Sequence, residues 1–187
     1  MIKIPKIFHE ILGEEQRKIE LVFIIVFAIS STVFLSLFYY NDISSLPIIN
    51  QVILIILTID ITGGVVANLS FGTDNYYMNR RKARYVFIAI HIQVILIFVF
   101  AHLPLRIGLI LWGYTMLCAI ILELYKNNPS QKVLAGFMFS IGLLIVFGFQ
   151  NMLTTFVVIL VLFYLFKLLY SFSVNHHQES NDAKTIS

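Results

Sequence analysis

Two ionisable side chains, Asp60 and His91, fall deep inside runs of otherwise apolar residues. A carboxylate and an imidazole are the pieces of a proton-exchange or ligand-holding site. Around Asp60, the residues Gly63, Gly64 and Ala67 recur at helical spacing, with Asn68 at the edge of the same strip. Small residues four apart let two helix backbones approach closely. The strip should therefore face protein, and Asp60 with it. His91 lies about seven residues into the next apolar run and Asp60 about nine from the end of its own. On helices rising 1.5 Å per residue the two differ in depth by only ~3 Å. A direct Asp60–His91 contact is the sharpest expectation from the residues alone, with Gln93 turned roughly the other way. Asp74 and Glu123 are further candidates for the same site if the bundle converges them.

Positioning these groups requires a particular solvent. Hydrophobic residues make up 59% of the 187 and charged ones only 12%, where soluble domains hold roughly 45–50% apolar. A chain of this length cannot hide that much apolar surface from water, so the expected class is all-α and polytopic in a membrane. Six runs approach the ~20 residues that cross a bilayer: 21–40, 46–69, 85–101, 105–125, 133–149 and 152–170. The third and fifth are short. Connections between them are too brief to hold another domain, so residues 1–175 read as one six-helix unit and 176–187 as a polar, disordered tail.

Basic residues set the orientation. Lys3, Lys6, Arg17 and Lys18 precede the first run. Arg80, Arg81, Lys82 and Arg84 follow the second, Lys126 and Lys132 follow the fourth, and Lys167 and Lys184 end the chain. Of the 13 basic residues, only Arg106 falls in an alternate loop. Both termini are thus expected on the cytoplasmic side, of a bacterial cell membrane by the small size and minimal loops. Residues 5–19, with Ile7, Phe8, Ile11 and Leu12 at helical spacing after Pro5, suggest a short interfacial helix interrupted at Gly13.

The motifs that would fix an activity are missing: no HExxH, no GxSxG and no Gly-Lys-Ser phosphate loop. The single cysteine, Cys118, excludes an intrachain disulfide and a cysteine-based metal site. The sequence points to no metal, names no cofactor and gives no reason to invoke nucleic acid, since topology already accounts for the net charge of +3. Three functions fit. One is binding or transport of a small solute or ion, proton-linked through Asp60 and His91. Another is a membrane-embedded enzyme acting on a lipid or lipid-linked substrate at the inner leaflet, Arg80–Arg84 holding an anionic head group. The third is a structural or accessory subunit, in which Asp60 and His91 latch helices and the Gly63–Ala67 strip docks a second copy or a partner membrane subunit.

Overall fold

The computed structural model describes residues 1–78, 80–126 and 128–174; the tail expected at 176–187 lies outside them. Among the described residues, six helices are long and apolar enough to cross a membrane: Lys18–Phe38, Ile48–Leu69, Arg81–Phe100, Leu105–Leu124, Gln131–Gly148 and Thr155–Phe172. They are called the first to sixth spans below. The third is longer than its apolar run, because the helix carries on into the basic residues from Arg81.

Helix starts follow local chemistry. Pro47 and Pro104 immediately precede the second and fourth spans, where a fixed φ and a missing N–H cost nothing. The sixth starts under two acceptors: the Thr154 hydroxyl takes the Val157 N–H at 3.4 Å, and Asp42 Oδ2 takes the Phe156 N–H at 2.9 Å. A carboxylate there also meets the positive end of the helix dipole.

The second and sixth spans are the most buried and the first and fifth the most exposed. The second packs on the first, the sixth and the far half of the third. Phe23, Val26 and Ile29 on the first span, and Val133, Phe137 and Leu144 on the fifth, stay exposed. In water such surface would be a liability; facing hydrocarbon it is the ordinary outer surface of a bundle.

The two ends of the bundle differ. At one end Lys126 Nζ donates to the Met78 carbonyl, and Gln131 Nε2 to those of Leu122 and Ser173. Arg80 meets Glu14 there at 2.7 Å. The loops rich in Lys and Arg therefore gather at this basic end. At the opposite end Asn50 Nδ2 donates to the Phe100 carbonyl, and the His102 ring lies 3.1 Å from it.

The N-terminal segment differs from the expected interfacial helix. Ile2–Lys3 pairs antiparallel with Glu15–Gln16, closing a loop that holds one 3-10 turn, Lys6–Phe8, and one α-turn, His9–Leu12. The apolar spacing of Ile7, Phe8, Ile11 and Leu12 reflects that single turn. Gly13 ends it at φ 75°, in the left-handed region that glycine enters freely. This clasp seats on a short helix, Phe71–Met78, that follows the second span. Gln16 accepts from the Gly72 N–H and donates to the Ser70 hydroxyl, Thr73 donates to the Ile11 carbonyl, and Tyr77 to that of Glu10. Backbones meet at Gly13 and Gly72; a Cβ on Gly13 would lie 2.1 Å from the Gly72 carbonyl oxygen. Burial pushes the Tyr77 phenol well above its ordinary range.

A candidate polar cavity at mid-span

Asp60 sits midway along the second span, and its partner is not His91. Lys167 Nζ approaches Asp60 Oδ2 at 3.0 Å and the Asp60 carbonyl at 3.3 Å, and Gln93 Nε2 donates to the same Oδ2 at 2.6 Å. His91 lines the same cavity without a hydrogen bond to Asp60. Sequence reasoning placed Lys167 among the residues marking the inner end of the last helix. The side chain is instead 3% exposed and directed at Asp60, whose own side chain is 43% exposed.

Two irregular helices make this arrangement. The third span is broken at His91–Ile92, between Arg81–Ile90 and Gln93–Phe100. Neither proline nor glycine causes the break. The His91 ring hydrogen-bonds the Phe87 carbonyl, the group its own backbone N–H would take in an α-helix. That N–H turns to Ile88 instead. Such side-chain competition for backbone partners is known to unsettle helices. The buried Tyr164 hydroxyl then donates to the His91 carbonyl at 2.8 Å, fixing the break. A straight helix would aim Gln93 away from Asp60; past the break it faces Asp60.

The sixth span changes winding at the same site. From Phe166 to Phe172 it is a π-helix, a form concentrated at functional sites. Asn68 Nδ2 donates to the Lys167 carbonyl at 3.4 Å. Gly64 makes room for the lysine, since a Cβ there would lie 2.4 Å from Lys167 Cε. Gly63 faces the first span instead, its notional Cβ 3.2 Å from that of Ala28. Ala67, on the same strip, is fully buried.

These walls enclose about 230 Å³, lined by Asp60, Gly64 and Asn68, by Phe87, Ile90, His91 and Gln93, and by Lys167, with Glu10 and Ile11 of the clasp. Asp60, Asn68 and His91 thus meet, while Glu123 and Asp74 lie outside. Asp74 is buried in the short helix Phe71–Met78. Glu123 forms a separate ion pair with Arg84 at 2.5 Å, both side chains 2% exposed. Arg84 also donates to the Phe172 carbonyl at 3.0 Å and lies over the Phe172 ring. Close by, burial and the Arg84 charge push the Lys126 ammonium below its ordinary range.

Chemically, the cavity offers an ion pair, an imidazole, two amides and, from the clasp, the Glu10 carboxylate. Among the described residues no group of three His, Cys, Asp or Glu side chains converges to hold a metal. Comparison with protein-family models, curated proteins and solved structures finds no match to this chain.

Proposed function

We propose that this chain is a multi-pass membrane protein that binds a small polar ligand or polar head group in the Asp60–Lys167 cavity, with both termini on the cytoplasmic side. The topology rests on the basic end: short loops rich in Lys and Arg are retained on the cytoplasmic side. It is tested by single cysteines introduced at Ser130 and at Leu103 in a Cys118→Ser background. In right-side-out vesicles an impermeant thiol reagent should label only the second.

One observation carries the binding role. An ion pair at mid-span is left partly open, in a cavity where two helices depart from regular winding. Discontinuous helices at mid-membrane mark ligand sites because the freed backbone must line protein or a cavity. A pair kept only to latch helices would be better sealed. Transport is the larger version of this reading, with the His91 break and the π-helix as the elements that move. Thermal-shift screening of the purified protein against small polar solutes and lipids tests it. A ligand of this site stabilises the native protein and loses that effect in both Asp60→Asn and Lys167→Met. If every stabilising compound acts on both variants as it does on the native protein, the site reading fails.

Enzymatic action on a lipid is supported by a different observation, the exposed aliphatic side chains of Ile56 and Ile90 near Asp60. It predicts turnover lost in His91→Ala with binding retained.

A further inference from the structure

The cavity keeps several unspent hydrogen-bond acceptors. Asp60 spends Oδ2 on both Lys167 and Gln93, and no described residue donates to Oδ1. His91 gives Nδ1 to the Phe87 carbonyl. A carbonyl only accepts, so Nδ1 carries the hydrogen, and Nε2 of the neutral ring is an acceptor. Asn68 uses its amide nitrogen on the Lys167 carbonyl, which leaves its oxygen as a third acceptor. The matching ligand donates to one of these acceptors and can accept from the second amide hydrogen of Asn68 or Gln93.

Charge narrows the class. At the ion pair itself the Asp60 carboxylate and Lys167 ammonium cancel, and the further carboxylate on the lining, Glu10, belongs to the clasp and is exposed. An amine would set a second cation beside Lys167. A carboxylate or phosphate would have to break the ion pair to find a counter-charge. Either leaves net charge at mid-span, where it is costly. A hydroxyl donates to Asp60 Oδ1 or His91 Nε2 and adds no charge.

Access points the same way. Asp60 is 43% exposed although it lies midway along the second span. One turn away Ile56 is 58% exposed, and across the mouth so is Ile90. Both halves of the third span pack on the fourth, but only the far half also packs closely on the second. The opening therefore faces sideways between the second and third spans, with aliphatic side chains on its rim. Glu10 and Ile11 cover its basic end.

We infer that the cavity takes the hydroxyl head of an uncharged, membrane-dissolved amphiphile, a long-chain alcohol or monoacylglycerol, which enters sideways past Ile56 and Ile90. This rests on the binding role proposed above. The test uses the full-length protein in nanodiscs and three diazirine-bearing C12 probes: an alcohol, an amine and a carboxylic acid. The alcohol should label peptides of the second and third spans saturably, and excess monododecanoylglycerol should displace it where glycerol does not. Labelling should fall about tenfold in Asp60→Asn, and also in Ile56→Trp, which fills the exposed rim without touching the core. Equal labelling by amine or acid overturns the hydroxyl assignment. So does a disulfide-linked dimer of an Ile56→Cys variant with no alcohol labelling, since a second copy would then seal the mouth. Asp60-dependent protection by glycerol alone, indifferent to Ile56→Trp, removes the lipid inference but keeps a ligand site. If no probe or solute depends on Asp60, both readings fall.

Discussion

Among the described residues, the ion pairs Arg84–Glu123 and Asp60–Lys167 stand inside this bundle under opposite conditions. Arg84–Glu123 is sealed, each side chain 2% exposed, and Arg84 has further contacts to the Phe172 carbonyl and ring. Asp60–Lys167 is lopsided, the lysine 3% and the aspartate 43% exposed. A pair closed off on both sides has no surface to offer a ligand. It ties the third, fourth and sixth spans together at the basic end. The open pair keeps an unspent carboxylate oxygen, an adjacent imidazole and space beside them. Burying charge is expensive in both places, but only the open pair is placed to return that expense as recognition.

Breaking the sealed pair should have the largest effect. Glu123→Ala leaves the Arg84 guanidinium buried without its counter-ion, and loss of one partner of a buried pair costs about 3–5 kcal/mol. Unfolding of the purified protein in mixed micelles should show that loss directly, along with poor expression. A loss below about 1 kcal/mol would mean that the pair is hydrated and the two sites are alike.

The open pair should respond asymmetrically. Asp60→Asn strands a buried ammonium and should cost about 2 kcal/mol, the range of a lost charged hydrogen bond. Lys167→Met strands only a carboxylate that water or a head group can reach, so about 1 kcal/mol is expected. The same unfolding assay ranks them. Both should weaken ligand binding by about tenfold or more, which separates binding from stability: Lys167→Met loses binding while remaining close to native in stability. Equal stability losses would show that Asp60 is as sealed as Lys167.

That asymmetry also marks what was legible in the residues. Hydropathy and helical spacing place the six spans, and they put Asp60, Gly63, Gly64 and Ala67 on one strip, because both depend on the period of a single helix. The partner of Asp60 depends on more. Gln93 reaches it only because the His91 ring displaces a backbone hydrogen bond, and nothing in Ile90–Gln93 resembles a helix breaker. Lys167 was open to notice as a lysine inside an apolar run. A basic residue near the end of a last helix reads equally well as a topology marker, and the π-helix that aims it inward has no sequence signature here. Arg84–Glu123 needs the relative register of two helices, which neither helix encodes alone. The clasp follows the same rule: pairing of Ile2 with Gln16 and the Gly13–Gly72 contact are tertiary facts.

A gentler change sharpens the comparison without altering any charge. Gly64→Ala places a methyl group against Lys167 Cε, and the flexible end of the lysine can move aside. The fold should survive while the ammonium is pushed off Asp60, weakening ligand binding by about tenfold, within the range for overpacking a tight site. Gly63→Ala meets Ala28 at 3.2 Å instead. It should loosen the first span slightly and leave binding within about twofold. If both glycines behave alike, the space beside Lys167 is not what the site needs.

The smallest effect belongs to the clasp, which lies over the open pair and not the sealed one. Arg80 hydrogen-bonds the exposed Glu14 and holds its carboxyl below the usual 4.5. A depressed carboxyl stabilises the folded state above its unfolded pKa, and that contribution is lost as pH falls through the lower folded value. Acidification below pH 4.5 should therefore free the strand around Glu15 and speed amide exchange at Ile4, whose N–H is held by the Glu14 carbonyl. Exchange around Arg84 should not change over the same range. Glu14→Gln should remove the pH dependence at Ile4 and leave the chain as it is at low pH. Because Glu10 and Ile11 line the cavity, ligand exchange at Asp60 should quicken as the clasp loosens, while stability measured at the sealed pair stays constant. Ligand exchange independent of the clasp would instead mean that the sideways mouth is the whole route in.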